Sequence, residues 1–368
     1  MKLATALALG AGLSAPAHAD SLEQQFDRVL ATQARTPAPA AKTQSMVAKS
    51  VPQAVKTQPL IARTIATRPL AASVKPFVAS AVSASYASGL EAQVAQVAGH
   101  DQGRIGVAAV DLATGRTVSI LGDMPFPMAS TSKIAIAATF LDQVEQGKLR
   151  LDATYPLMVP QRSAKYSTAV APVRPGTMLT GRYLIERAII NSDNQATDAL
   201  LAAVGGTQAV NRWVRQTGIT GFRLDRDIAT LVRDDGEYDP ARMIDQRDSA
   251  TPLAMVRLLS GLYQGEWLSK SSRDVLIGAM ERCATGKRRI KGMLPMDAMV
   301  AHKTGTLHNT SSDVGIIHAP DGRAMAVAIY VTGQGGKPAR DERIAMIARA
   351  LYDGYQVEAS SLRRSASR

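Results

Sequence analysis

Phe126-Pro127-Met128-Ala129-Ser130-Thr131-Ser132-Lys133-Ile134-Ala135-Ile136-Ala137-Ala138-Thr139-Phe140-Leu141 decides how the chain folds. From 134 to 141 it is apolar almost all round, which is the pattern of a helix buried on every side. Ser130 follows Pro125-Phe126-Pro127 and precedes this run, so it reads as opening a buried helix. Lys133 follows on the same helix face, about one turn on, where its amine can reach the serine hydroxyl.

Working outward, residues 90–97 read as an amphipathic helix, and 104–112 and 117–121 as two strands joined at Thr114-Gly115, a β-hairpin. Helical patterns recur at 180–190, 195–204, 207–217, 251–263 and 269–281, so the middle of the chain reads as all-helical. Strands follow at 299–304, 314–318 and 325–332, and a closing helix at 341–355. Strands at both ends of a helical middle predict an α/β (α+β) fold. One antiparallel sheet, built from both termini and flanked by helices, faces an all-helical subdomain, with the active site in the cleft between them.

The 368 residues, 46% of them hydrophobic, suffice for a sizeable core. Residues 1–19 carry Lys2, an apolar run from Leu3 to Leu13 and the small-x-small ending Ala17-His18-Ala19, which reads as a cleavable secretory signal. The run is too short for a membrane span, so a soluble periplasmic or secreted product is expected. Residues 20–84 read as a disordered basic Ala/Pro-rich spacer. Arg35, Lys42, Lys49, Lys56 and Arg63 recur every seven residues, but prolines at 37, 39, 52, 59 and 69 exclude a coiled coil. The spacer reads as a solvated linker or as a tether to anionic wall polymer or lipid headgroups. Residues 85–357 form the folded domain and 358–368 a basic tail.

The net charge of +12 lies mostly in the spacer and the tail rather than on the domain. With 4% aromatic residues and no recognition motif, nucleic-acid binding is excluded. Cys283 is the single cysteine and reads as a semi-buried thiol. The five histidines show no paired ligand spacing, so neither a metal nor another cofactor is expected.

Two further strings accompany Ser130-Thr131-Ser132-Lys133. Ser192-Asp193-Asn194 follows the apolar Ala188-Ile189-Ile190, where a helix can end and turn its side chains into the cleft. Lys303-Thr304-Gly305-Thr306 falls at the end of a strand. Singly each is weak: a Ser-x-x-Lys string arises about once by chance in a chain of this size, and Ser-Asp-Asn is an ordinary turn or helix cap. In this order, each in fitting local structure, they describe serine acyl transfer. Lys133, poorly solvated, takes the proton of the nucleophile Ser130. Ser192 relays a proton to the leaving nitrogen, and Asn194 binds the substrate amide and Lys133. Lys303 supplies a fixed cation, Thr304 and Thr306 hydroxyls for a substrate carboxylate, and Gly305 room for substrate backbone. The amides of Ser130 and Thr306 form the oxyanion hole.

With these strings the chain resembles the class A β-lactamase family over nearly all of residues 85–357. Phe126-Pro127-Met128-Ala129, Asn191-Ser192-Asp193-Asn194, Arg223-Leu224-Asp225-Arg226, Gln246-Arg247-Asp248 and Asp341-Glu342-Arg343 resemble that family's segments. The resemblance implies a helical and an α/β subdomain, with Arg226 and Asp248 as the ion pair closing the loop beside the active site. It also shows two departures. The position of the family's deacylating glutamate is Ile228, and that of its asparagine is Val232. The loop is about seven residues longer, and Asp235-Gly236-Glu237-Tyr238-Asp239 resembles the family's Glu-x-Glu-Leu-Asn string, so Asp235 or Glu237 is expected to direct the hydrolytic water. Ser311-Ser312-Asp313 stands where the family often places a carboxylate-gripping arginine, leaving Arg340 or Arg343 as substitutes.

The expected protein is therefore a secreted monomeric serine β-lactamase acting on small-molecule β-lactams. A penicillin-binding or D-Ala-D-Ala peptidase-like acylator with slow release is the alternative, and a non-hydrolytic lactam or wall-fragment binder the third reading.

Overall fold

The computed structural model describes residues 74–77, 88–99 and 102–366; the expected signal and most of the expected spacer lie outside them. The first strand, β1 (Val74–Pro76), falls within the stretch expected to be spacer. The chain continues through α1 (Gly89–Ala98), β2 (Ile105–Asp111), β3 (Thr117–Ile120), β4 (Phe126–Pro127), a 3-10 turn (Ala129–Ser132) and α2 (Lys133–Glu145). Then come β5 (Thr154–Pro160), β6 (Val173–Thr180), α3 (Gly181–Ile190), α4 (Asn194–Val204), α5 (Gly206–Gln216), β7 (Phe222–Arg223), α6 (Ile228–Arg233), β8 (Met243–Asp245) and β9 (Ser249–Ala250). It closes with α7 (Pro252–Gln264), α8 (Lys270–Glu281), β10 (Met299–Leu307), β11 (Thr310–His318), β12 (Ala324–Thr332) and α9 (Lys337–Ala366).

Large and small apolar side chains alternate along β12, and the alternation sorts the two faces of the sheet. Met325, Val327, Ile329 and Val331 pack with α1 and α9 through Leu90, Val94, Ile344, Ile347 and Leu351. Ala326, Ala328 and Tyr330 face the opposite way, toward Phe126, Met128 and the helices of the chain's middle. The β2 strand sorts likewise, with Val107 and Ala109 on the α9 side and Ala108 on the other. A strand covered on both faces reads as a continuous apolar run, which is why these strands were legible. The order is β10-β11-β12-β2-β3, all antiparallel, so strands from both ends of the domain share one sheet and β10 is an edge.

Helix α2 is buried through Lys133–Leu141, every one of those side chains lying in the interior. The middle is not wholly helical. Strands β5 and β6 form an antiparallel ribbon, bulged between Pro156 and Met158, whose prolines and Gly176 break the alternation that would announce it. The short α6 is a further helix without a signal in the sequence, since its six residues are too few to show a period. The β10 strand runs on to Leu307, so Lys303 lies within a strand and not at its end. Strand β11 begins at Thr310, earlier than its apolar residues suggest, because Ser311, Ser312 and Asp313 are fully buried polar residues.

Candidate active site

Ser130 sits in the 3-10 turn that leads into α2, half-buried, with its carbonyl accepting the amide of Lys133. The turn is tied by its own hydroxyls: Thr131 Oγ1 donates to the Met128 carbonyl at 2.7 Å and Ser132 Oγ to that of Ala129 at 2.9 Å. Ala129 has a left-handed φ of 48°, a conformation costly for alanine that the surrounding structure must hold in place.

One turn on, the Nζ of Lys133 meets the Ser192 carbonyl at 2.6 Å, Asn194 Oδ1 at 2.7 Å and Ser192 Oγ at 3.4 Å. Burial, then repulsion from Lys303, hold this amine well below the ordinary lysine range, against the pull of Asp193 and Asp198. A lysine so placed is disposed to accept a proton.

The Ser192-Asp193-Asn194 string is shaped by Asp193. Its carboxylate caps α4 through the Ala196 amide at 3.0 Å and pairs with Arg187. With Asp193 turned inward to the protein and Ser192 at a left-handed φ of 59°, the two flanking side chains turn to the site. The Nζ of Lys303 donates to Ser192 Oγ at 2.9 Å, so two fully buried lysines converge on one hydroxyl. Burial lowers Lys303 to about 8.

Glycine is required at 305. A Cβ there would stand 2.7 Å from the Met128 carbonyl oxygen and 2.5 Å from Ser312 Oγ, so the close approach of β10 to the turn carrying Ser130 depends on its absence. Thr304 Oγ1 shares a 2.6 Å hydrogen bond with Thr285 Oγ1. Thr306 Oγ1 accepts from Arg289 Nη2 at 2.7 Å. Arg289, 2% exposed, also donates to the carbonyls of Gly305 and Ser312 and pairs with Asp341. No motif singled out Arg289. Of the arginines that sequence suggested, Arg343 bonds the Val97 carbonyl in α1, and Arg340 reaches Ser311, Asn309 and Gly335.

Arg226 Nε meets Asp248 Oδ2 at 2.6 Å across the loop, and the buried Asp248 also accepts the amides of Asp225 and Arg226. Its own carbonyl accepts the Met128 amide at 2.9 Å, which ties the loop to the turn of Ser130. Ile228 is buried, and its amide and that of Ala229 donate to Asp198, one turn after Asn194 on α4. Burial raises Asp198 to about 7, the two amides opposing. Asp235 accepts the His308 amide, and Glu237 pairs with Arg247 at 2.9 Å. Both acids line a cavity with Leu307 and His308, just beyond Thr306, whose lining does not include Ser130 or Lys133. The structure thus joins Lys133, Ser192, Asn194 and Lys303 through their side chains, sets Gly305 of β10 against the turn that carries Ser130, and holds Asp235 and Glu237 in contacts of their own.

Among the described residues no group of three or more His, Cys, Asp or Glu is arranged to hold a metal ion, and no helix is long and apolar enough to cross a membrane.

The model of the β-lactamase enzyme family matches residues 89–355. β-Lactamase CTX-M-25 of Escherichia coli is 32% identical over 287 residues, which cover 77% of this chain and 95% of the relative. β-Lactamase CTX-M-8 of Citrobacter amalonaticus is 33% identical over 256 residues, covering 69% and 84%. Among solved structures, a β-lactamase from Chitinophaga pinensis superposes with a TM-score of 0.64 at 30% identity, over 73% of this chain and 100% of that one. A class A β-lactamase described as the last common ancestor of Gram-negative bacteria superposes with a TM-score of 0.62 at 36% identity, over 73% and 100%.

Proposed function

The chain belongs to the class A β-lactamase family of serine hydrolases, and we propose that it opens β-lactam rings through an acyl-enzyme on Ser130. The convergence of Lys133 and Lys303 on Ser192 carries this reading. Neutral Lys133 takes the Ser130 proton, and the oxygen attacks the lactam carbonyl. The developing oxyanion is received by the amides of Ser130 and Thr306. As the C–N bond breaks, the nitrogen takes a proton from Ser192, which recovers one from the now protonated Lys133 at 3.4 Å, while Lys303 holds the hydroxyl in place. Lys303, Thr304 and Thr306 receive the substrate carboxylate, with Arg289 fixing the Thr306 hydroxyl.

For deacylation the reading assigns the water to Asp235 or Glu237, supported by their place in the cavity next to Leu307 and His308. Their engagement with the His308 amide and Arg247 argues for slow turnover, and Ile228 favours the second reading, a peptidase-like acylator that releases slowly. Residues 1–19 are proposed as the cleaved signal for export to the periplasm, 20–84 as a spacer able to contact anionic wall polymer, 85–357 as the catalytic domain and 358–368 as a basic tail. The working form is a monomer.

Intact mass followed over time with a penicillin tests the reading. A transient Ser130 adduct with product release is expected, lengthened by Asp235→Ala or Glu237→Ala. A persistent adduct transfers the protein to the second reading, no adduct removes both, and two silent variants remove the loop-carboxylate assignment.

A further inference from the structure

On the buried side of β10 lies a second reactive cluster that acyl transfer does not use. His302 Nδ1 stands 2.9 and 3.0 Å from the two carboxylate oxygens of Asp313, and both residues are fully buried. The other ring nitrogen, Nε2, is buried without a hydrogen bond of normal geometry. The ring's remaining interaction is with the thiol of Cys283, which follows α8. Burial alone would lower His302, but Asp313 first and Cys283 after it raise it to about 9. Burial alone would raise Cys283, but His302, Thr285 and Lys303 bring it down to about 7. Both shifts run toward imidazolium and thiolate, and the buried Nε2 has no other partner among the described residues.

The cluster is wired to the active site. Cys283 Sγ lies 3.3 Å from Thr285 Oγ1, which shares its 2.6 Å hydrogen bond with Thr304 Oγ1. Thr304 adjoins Lys303, the cation on Ser192. Cys283 itself is 8% exposed, between exposed Arg282 and Ala284, so a small reagent needs only a local opening to reach it.

We propose that Cys283 is a modification site, a thiol set beside the His302–Asp313 pair that takes an oxygen atom from a hydroperoxide, and that its oxidation slows acylation of Ser130 through Thr285 and Thr304. The sulfur attacks one peroxide oxygen, so an S–O bond forms as the O–O bond breaks. The sulfur is oxidised by two electrons, the peroxide is reduced, and the departing hydroxide takes a proton from His302 Nε2 or solvent to leave as water. The sulfenic acid adds a polar oxygen beside Thr285, where it competes with Thr304 for the hydroxyl. The coupling rests on the acyl-enzyme reading given above.

The test treats the purified full chain with hydrogen peroxide and traps the product with dimedone. One dimedone adduct, mapped to the peptide of Cys283, is expected on the native protein. Its absence there, with an adduct forming only in denaturant, overturns the site. His302→Asn is expected to slow trapping at least tenfold; because that variant can misfold, the alkylation rate of native wild type by iodoacetamide stands beside it, and a rate more than tenfold below that of free cysteine at pH 7 also overturns the site. Peroxide is expected to slow penicillin acylation of Ser130 at least fivefold, reversed by dithiothreitol, with Cys283→Ala unaffected. Equal slowing in Cys283→Ala, or trapping without slowing, overturns the coupling. No Ser130 adduct in untreated protein overturns the acyl-enzyme reading and the coupling with it, while the trapping result alone decides the thiol site.

Discussion

Lys303 Nζ stands 2.9 Å from the hydroxyl oxygen of Ser192, two residues that are 111 positions apart in the chain. In the proposed reaction a cation there orients the Ser192 hydroxyl that protonates the leaving nitrogen, while the Lys133 amine, 3.4 Å from the same oxygen, must be neutral to accept a proton. That reaction needs two lysines in opposite charge states, and burial lowers both, Lys133 well below the ordinary lysine range and Lys303 to about 8.

Acylation should consequently show a bell-shaped pH dependence. On the acid side the rate falls as Lys133 gains its proton, at a pH well below the ordinary lysine range. On the alkaline side it falls as pH rises through about 8, where Lys303 loses its charge. Adduct formation with a penicillin, quenched and read by mass between pH 5 and 10, checks this. A rate that keeps rising to pH 10 rules out a required Lys303 cation.

Removing the base or the relay should separate from removing the fold. Lys133→Met is expected to slow acylation by about 10²–10⁴-fold, the usual worth of a positioned general base. Ser192→Gly removes the hydroxyl while relieving the left-handed φ of 59°. It should slow acylation by about 10²-fold with no loss of thermal stability. A variant as fast as wild type would remove Ser192 from the proton path.

Asp248 ties the loop to the turn of the nucleophile, pairing with Arg226 by its side chain and accepting the Met128 amide by its carbonyl. Arg226→Ala leaves a buried carboxylate without its counter-charge and should cost about 3–5 kcal/mol. Asp248→Asn keeps the shape and loses less. Urea denaturation measures both, and acylation of Arg226→Ala should fall as well, since Ala129 loses the support that holds its strained backbone. Lost stability with unchanged acylation would show that the loop and the turn are independent.

Much of this site was legible because its residues lie in short local strings, whose spacing on a helix or strand is set by backbone geometry. Ser130, in the 3-10 turn, stands one turn before Lys133, which opens α2; Ser192 and Asn194 flank a capping aspartate. The apolar runs of β2 and β12 were equally plain. Arg289 was not, since a lone arginine has no pattern and gains its role only where β10, β11 and α9 meet. Asp198 lay one helical turn beyond Asn194 and could have been read from that spacing. The β5–β6 ribbon was hidden by its prolines, and the fate of Asp235 and Glu237 by a loop whose path depends on partners such as His308 and Arg247, remote or without periodic signal.

The His302–Cys283 pair predicts an unusual pH dependence of stability. His302 is raised from 6.5 to about 9, so its contribution is full below 6.5 and lost as pH rises through 9. Cys283 is lowered from 9.0 to about 7, so its contribution is full above 9 and lost as pH falls through 7. Between 7 and 9 the native pair has in effect passed one proton from sulfur to nitrogen, and the two dependences oppose one another. Cys283→Ala removes one of them. Its urea stability, measured relative to wild type so that Asp198 and Lys303 cancel, should fall between pH 7 and 8.5 by up to about 1.4 kcal/mol per pH unit. Parallel curves for the two proteins would mean that thiol and imidazole do not exchange a proton in the folded chain.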